Sequence, residues 1–150
     1  MAVRRVLSRL LRLRELEEEQ SRVELEIAVG KRNRVAEQLA QAVQRQAQGR
    51  RNFANGIVER DTTSRTGAVM EMEQARRQQL RIEPRLAAAD TEVGRQREEF
   101  LARRTKRRQV ETLVDQERAM IREEAGRRAQ QVLDDWYGQR SARGDPAYYW

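Results

Sequence analysis

The residues from Met72 to Ile121 carry the pattern that most restricts how this chain can fold. Fifteen positions there follow one another at alternating steps of three and four residues, and ten of them are apolar. Such a 3.5-residue repeat is typical of a coiled-coil helix, whose narrow apolar stripe needs a partner helix to cover it. The positions are Met72, Ala75, Gln79, Ile82, Leu86, Ala89, Val93, Gln96, Phe100, Arg103, Arg107, Val110, Val114, Glu117 and Ile121.

Pro84 lies inside this repeat. A proline removes one backbone donor and clashes with the preceding turn, so either a kink or the start of a new helix is expected there. The stripe continues on both sides of Pro84, which favours a kink.

The first half of the chain carries a thinner apolar stripe and predicts a second long helix over about residues 3–59. Turn signals follow it: Gly49, the pair Asn55-Gly56, the polar run RDTTSRTG and Gly67. They place the reversal at about 60–67 and the next helix at about 68–137, with Thr62, Thr63 or Ser64 as its cap. The first stripe consists of Leu13, Leu16, Val23, Ile27, Val35, Leu39, Ala42 and Phe53.

The composition agrees with long, thin helices rather than with a globular domain. Only 38% of the residues are hydrophobic and 37% are charged, which leaves too little apolar material for a thick core. The sequence therefore predicts an all-α fold in which residues 1–137 form a long antiparallel two-helix coiled-coil hairpin without a globular core. Residues 138–150 hold Gly, Ser, an Asp-Pro pair and three aromatic residues, and we expect a flexible aromatic tail there.

Charge provides a test of the hairpin. If the chain reverses near residue 64, the numbers of facing residues sum to about 128. Segment 15–26 has a net charge of −5, and the segment that would face it, 102–113, has a net charge of +4. The two segments are complementary, whereas the five arginines before Glu15 would face segment 114–127, whose net charge is only −1.

Several classes of function are disfavoured. The chain has no cysteine and no histidine, which removes the usual zinc sites, thiol chemistry and imidazole bases. We expect no enzyme, no cofactor, no metal and no small-molecule substrate. No apolar stretch approaches the ~20 residues that span a bilayer, so a soluble or peripheral protein is expected.

The arginines near the start allow three interpretations. The stretch resembles in composition a mitochondrial transit peptide or a membrane-surface helix. The formal charge of +7 also raises nucleic acid as a partner, with Arg4, Arg5, Arg9, Arg12 and the cluster 103–108 on phosphates. No aromatic residues interleave with these clusters, which disfavours nucleic acid as a partner. The third interpretation is one end of the hairpin, presented to a protein.

Two stretches resemble a known family. The opening VLSRLLRLRELEEEQ is similar to that of the flagellar export protein FliJ family, and RRQVETLVDQERAMIREEAGRRAQQVLDDWYGQR is similar to its C-terminal half. The resemblance implies a stalk-like coiled coil of the bacterial flagellar type III protein export apparatus. It implies a cytoplasmic protein, peripheral at the inner-membrane export apparatus, that binds the hexameric export ATPase, promotes its assembly and activity, and links it to the export-gate membrane protein and export chaperones. A generic coiled-coil scaffold or a basic nucleic-acid-associated protein remains the alternative.

The resemblance also implies contact residues. Residues of about 3–20 and 110–137 would approach the ATPase ring, and the early turns of the second helix would contact the export gate. Glu71 stands where an apolar or aromatic residue is expected at the gate. The alternative is that Met72, Ala75 and Ile82 line the seam between the helices. The candidate ring contacts are Arg4, Arg5, Arg9, Arg12, Arg14, Trp136 and Tyr137, and the candidate gate contacts are Met70, Met72, Ala75 and Ile82.

Overall fold

The chain folds into two long helices. The computed structural model describes residues 2–142, with side chains from Arg4 onward. They form α1 (Ala2–Val58) and α2 (Thr62–Ala142), which run antiparallel and pack against each other. No strand occurs between residues 2 and 142. The predicted all-α two-helix hairpin is confirmed.

Helix α2 ends later than the sequence predicted. It continues through Gly138 to Ala142 instead of ending at residue 137. A single glycine costs a helix only about 1 kcal/mol, and so it does not force an end. The last turn contains Arg140, whose charge suits a helix C-terminus. The remainder of the predicted aromatic tail, 143–150, lies outside the described residues.

The connection between the helices is shorter than the predicted turn at 60–67 and consists of Glu59, Arg60 and Asp61. The amide of Arg60 donates to the carbonyl of Ile57 at 3.3 Å, and that of Asp61 donates to the carbonyl of Gly56 at 3.0 Å. Arg60 has a φ of 57°, which is left-handed. These bonds form a Schellman motif, which stops α1 and satisfies its last carbonyls.

Asp61 is the N-cap of α2, where the sequence predicted Thr62, Thr63 or Ser64. Its Oδ1 accepts hydrogen bonds from the amides of Thr63 at 3.0 Å and Ser64 at 3.3 Å. A side-chain oxygen before the first turn satisfies amides that have no partner inside the helix. The cap lies earlier in the chain than predicted, because only three residues separate the end of α1 at the Schellman motif from the start of α2.

The contacts between the helices divide into two compact units. The turn unit comprises Leu16–Arg104, and the terminal unit comprises Met1–Glu15 and Thr105–Trp150. In both units the buried face of α2 follows the predicted repeat. The buried residues are Ala68, Ala75, Ile82 and Gln96 in the turn unit, and Val110 and Val114 in the terminal unit.

The buried face of α1 differs in part from the prediction. In the turn unit its buried residues are small and lie at multiples of seven residues: Ser21, Ala28, Ala42, Gly49 and Gly56. Val35, Leu39 and Phe53 are half-buried beside them, as predicted. The earlier part of the predicted stripe is wrong, because Leu13, Leu16, Val23 and Ile27 are all exposed. Ser21 is buried without penalty, since its hydroxyl donates to the carbonyl of Glu17 at 2.9 Å.

Two glycines allow α1 and α2 to approach closely near the turn. A Cβ atom on Gly49 would lie 2.6 Å from Cγ of Met72, and one on Gly56 would lie 2.9 Å from Cγ of Arg65. The sequence suggested that both glycines mark a turn or a helix end. Both are instead inside α1, where the missing side chain makes room for α2.

The register of the hairpin lies about one heptad from the predicted value. Gln79 donates from Nε2 to the carbonyl of Ala42 at 3.3 Å, and Arg32 Nε pairs with Asp90 Oδ1 at 2.8 Å. The numbers of these facing residues sum to 121 and 122, rather than to 128. A shift of seven residues preserves the same stripes, so the apolar pattern did not discriminate between the two registers.

Pro84 does not divide α2. The helix is continuous from Thr62 to Ala142 with Pro84 inside it, so of the two alternatives at this position the start of a new helix is excluded. Pro84 is exposed, and its ring therefore does not enter the seam.

Candidate partner-binding surfaces

Four of the five arginines predicted to contact a partner form an exposed basic surface on α1. Arg4, Arg5, Arg9 and Arg12 are exposed in the terminal unit, and Arg14 is half-buried. Among the described residues, no ion pair involves Arg4, Arg5, Arg9 or Arg12. Their guanidinium groups are therefore available to an anionic group outside the chain.

Helix α2 adds two arginines that the sequence did not single out. Arg118 and Arg122 line an open groove together with Arg4 and the side chain of Ile121. Arg118 lies 3.6 Å from Asp115, which neutralises it only in part because both side chains are exposed. In the sequence, Arg118 and Arg122 stand out only by their four-residue spacing. Their position opposite Arg4 could be predicted only with the correct register of the hairpin. We call Arg4, Arg5, Arg9, Arg12, Arg118 and Arg122 the basic cluster.

The last part of α2 has no partner helix among the described residues. Residues 120–142 are all exposed, although they continue the helix. Five apolar side chains lie at helical spacing along one side of it, and a row of this kind is typical of a surface that packs against another element. They are Ile121, Ala125, Ala129, Val132 and Trp136.

The two aromatic residues that were predicted to contact the ATPase ring lie at the end of this row. Trp136 and Tyr137 make an edge-to-face contact with ring centroids 5.0 Å apart. The guanidinium carbon of Arg140 lies 4.9 Å from the centroid of the Trp136 ring, a cation–π arrangement. Both aromatic side chains remain about half exposed, at 49% and 63%, and so offer apolar area to a partner.

The four predicted gate contacts do not share one surface. Ala75 and Ile82 are buried in the seam, Met72 is half-buried against Gly49, and Met70 is 69% exposed. The burial of Ala75 and Ile82 supports the alternative that they line the seam. Met70, next to the exposed Glu71, is the one of the four that is open to a partner.

The acidic stretch after Glu15 lies in the turn unit and neutralises itself in part. Arg22 bonds to Glu19 at 2.5 Å and to Glu26 at 2.8 Å, each on its own helix. The hydrogen bond from Arg22 lowers the pKa of Glu19, and the same contact raises the pKa of Arg22. From the facing helix, Arg103 donates to the carbonyl oxygen of Glu17 at 3.2 Å. This bond from α2 reaches the backbone of the acidic stretch rather than one of its carboxylates.

The described residues hold no candidate metal site. They contain no group of three carboxylates that could hold a metal, and their grooves are open to solvent. None of their helices has a segment long and apolar enough to cross a bilayer.

No protein-family model, curated protein or solved structure matches the chain. The described residues form an all-α helical hairpin that carries an exposed basic cluster and an exposed apolar row.

Proposed function

We propose that this chain is a stalk-like component of the bacterial flagellar type III export apparatus. In this role it binds the hexameric export ATPase, promotes ring assembly and activity, and links the ring to the export gate and export chaperones. The proposal builds on the resemblance of the opening and of residues 107–140 to the FliJ family. It locates the chain in the cytoplasm, peripheral at the inner-membrane export apparatus.

The observation that carries the proposal is the composition of the terminal unit. The basic cluster lies in the same compact unit as the exposed row of α2 that ends at Trp136 and Tyr137. Arginine and aromatic side chains are the residues that most often anchor protein interfaces. A surface with both charge and apolar area suits a protein partner better than it suits a bare polyanion.

The proposed mechanism is a difference in binding free energy. A stalk stimulates a ring of ATPase subunits only if it contacts some subunit conformations more favourably than others. Arg4, Arg5 and Arg9 supply charge for contacts with acidic side chains, and Trp136 supplies apolar area. Because these arginines are exposed, their contribution is expected to weaken as the salt concentration rises.

The gate and chaperone contacts are assigned only in part. Met70 is the candidate for the gate, since Ala75 and Ile82 contribute to the seam. Replacing Met70 with aspartate should weaken binding to the gate protein without loss of helix, because Met70 is exposed. Unchanged gate binding would assign that contact elsewhere on the chain.

The decisive experiment measures ATP hydrolysis by the export ATPase of the same organism with and without the full chain. Changing Arg4, Arg5 and Arg9 together to glutamate should reduce the stimulation by about tenfold or more, because three favourable charges become unfavourable. Arg76, Arg81 and Arg85 are also exposed and provide a control triple variant with the same change in charge. Equal effects of the two triple variants, or no stimulation by the wild type, would contradict the proposal.

The basic cluster also supports a second candidate, a nucleic-acid-associated protein. A gel-shift titration with duplex DNA and RNA at low and high salt separates the two candidates. A salt-sensitive shift that the triple glutamate variant abolishes, together with no effect on the ATPase, would favour the second candidate.

A further inference from the structure

Helix α1 carries a second apolar row, on the side turned away from α2. In the turn unit, Leu16, Val23 and Ile27 are 63%, 42% and 52% exposed. Ser21 and Ala28, which face α2, are buried. At ~100° per residue the two sets are separated by roughly 100–160° around the helix axis, so they lie on different sides of α1. The larger apolar residues of this stretch therefore point outward, and the smaller ones point into the seam.

The spacing of this outer row is that of a helix-packing surface. Residues 16, 20, 23 and 27 follow one another at steps of four, three and four, with Gln20 as the polar member. Scattered exposed apolar residues are common on proteins, but a row with the coiled-coil spacing is what a second helix would cover. We call Leu16, Gln20, Val23 and Ile27 the outer row.

Carboxylates lie on both sides of the outer row. By helical geometry Glu19 and Glu26 lie on one side, and Glu17 and Glu24 lie on the other. Glu19 and Glu26 share one cation, Arg22, and their side chains remain 56% and 62% exposed. The flanks of the row are therefore acidic on both sides.

This charge arrangement selects between possible occupants. Two copies of the outer row packed together would place glutamates against glutamates, which opposes self-association. A helix with lysine or arginine beside its apolar stripe would place cations against the same glutamates. The position of charges beside the stripe is what selects partners in coiled coils.

We propose that the outer row is a docking site for one amphipathic α-helix of a partner protein, whose apolar stripe is flanked by lysine or arginine. Leu16, Val23 and Ile27 are the apolar anchors, and Glu19 and Glu26 set the charge preference. The site lies wholly within the turn unit, and the inference does not rest on the proposed role with the ATPase. A row of twelve residues measures about 18 Å, so two to three heptads of the partner cover it.

The test uses the full chain and a synthetic probe. The probe is a fluorescein-labelled peptide of three heptads with leucine at the seam positions, lysine at the flanking positions and alanine elsewhere. A matched peptide has glutamate in place of every lysine. Binding is followed by fluorescence anisotropy, and hydrogen exchange of the complex locates the contact. The lysine peptide should bind and protect residues 16–27, and the glutamate peptide should bind at least about tenfold more weakly.

Two double variants distinguish binding at the outer row from nonspecific binding. Changing Val23 and Ile27 to glutamine should weaken binding of the lysine peptide by about tenfold or more, because it removes two anchors. Changing Leu80 and Leu101 to glutamine is the matched control, since both are exposed leucines on α2 outside the outer row. That control should bind like the wild type. Circular dichroism verifies that all variants stay helical.

A charge reversal tests the flanks. The variant Glu19→Lys with Glu26→Lys should lose the preference for the lysine peptide, because one flank becomes basic while Glu17 and Glu24 keep the other flank acidic. If the lysines reduce the helix content, Glu19→Gln with Glu26→Gln replaces this variant and should reduce the preference. Equal binding of both peptides to the wild type, or unchanged binding after the Val23 and Ile27 replacements, would overturn the proposal. A dimer in sedimentation equilibrium that these two replacements abolish would also overturn it, because the occupant would be a second copy.

Discussion

The amide of Asp61 donates to the carbonyl of Gly56 at 3.0 Å, while the carboxylate of Asp61 accepts from the amides at the start of α2. One residue therefore ends the first helix with its backbone and begins the second with its side chain. The connection between the two long helices has only three residues, and its stability depends strongly on one side chain.

Replacing Asp61 with alanine should lower the Tm, because the first amides of α2 lose their acceptor. Asparagine at the same position should preserve most of the cap. The hydrogen bond from the Ser64 side chain lowers the pKa of Asp61 below its ordinary 3.8. The stabilisation by the charged carboxylate is therefore complete above pH 3.8 and is lost as the pH falls through the lower pKa of the folded state.

Thermal melts of the wild type and both variants, recorded by circular dichroism from about pH 7 to about pH 3, test this prediction. The advantage of the wild type over the asparagine variant should decrease once the pH falls below 3.8. An advantage that is independent of pH would contradict a role for the charge.

Replacing Arg60 with glycine should stabilise the protein by about 1 kcal/mol. Arg60 has a left-handed φ of 57°, which costs an L-residue roughly 1–2 kcal/mol and costs glycine nothing in sterics. Glycine at Glu59, which does not have a positive φ, is the control and should destabilise the protein. Urea unfolding measures both, and a loss of stability in the Arg60 variant would contradict the assignment of the motif.

Replacing Gly56 with alanine should destabilise the protein, whereas the same change at Gly30 should stabilise it by up to about 1 kcal/mol. An alanine Cβ at 56 would lie 3.2 Å from the backbone nitrogen of Arg65, so the two helices would have to separate. At Gly30 nothing lies within 4 Å, and only the gain in helix propensity remains. Urea unfolding of both variants gives the comparison, and gains of similar size would contradict close packing at the turn.

Replacing Gln96 with leucine should stabilise the protein by about 1 kcal/mol. Its buried Oε1 has no hydrogen-bond partner among the described residues, and an unpartnered buried acceptor is costly. Replacing Gln79 with leucine is the control and should give no gain in stability. Gln79 Nε2 donates to Gln46 Oε1 at 2.8 Å, so the replacement removes this hydrogen bond and leaves the Gln46 oxygen without it.

The Gln96 variant has a second readout in Glu92. The hydrogen bond from Arg95, which has the larger effect, and the one from Gln96 together lower the pKa of Glu92 to about 2. Loss of the Gln96 bond should raise the pKa of Glu92 towards its ordinary value, measurable by NMR titration. An unchanged pKa would show that this amide does not reach the carboxylate.

Much of the fold could be predicted from the sequence, because the repeat along α2 has a constant period. Ala75, Ile82, Val110 and Val114 are all buried as that repeat requires. The register was less certain, because antiparallel helices that slide by one heptad bury the same positions. The length of the connection decides between the two, and it depends on the Asp61 cap and on the left-handed Arg60.

Helix α1 was harder to predict because it contains two apolar rows. Leu16 and Val23 look like core residues by size, yet Ser21 and Ala28 occupy the seam. Hydrophobicity alone ranks the rows in the wrong order, since close approach of the helices favours small side chains over large ones. The predicted stripe combined exposed residues of its earlier part, such as Leu16 and Val23, with residues of its later part that lie beside the seam, such as Val35 and Leu39.

The candidate surfaces were predictable only where they depend on one helix. The exposed arginines near the start of α1 follow from local composition, but the contribution of Arg118 and Arg122 requires the pairing of two distant segments. The gate contacts failed to form one surface for the same reason, because burial of Ala75 and Ile82 depends on which face of α2 meets α1.

The three-residue connection also bears on how the hairpin forms. Bringing Gly56 against Arg65 closes a loop of few residues, whereas the contact of Arg103 with Glu17 joins positions 86 apart in the chain. The entropy lost on loop closure is smallest for the first of these contacts, and each further pair of turns then extends an existing zipper. We therefore expect folding to begin at the glycine-lined turn and to proceed from there towards the contact between Arg103 and Glu17.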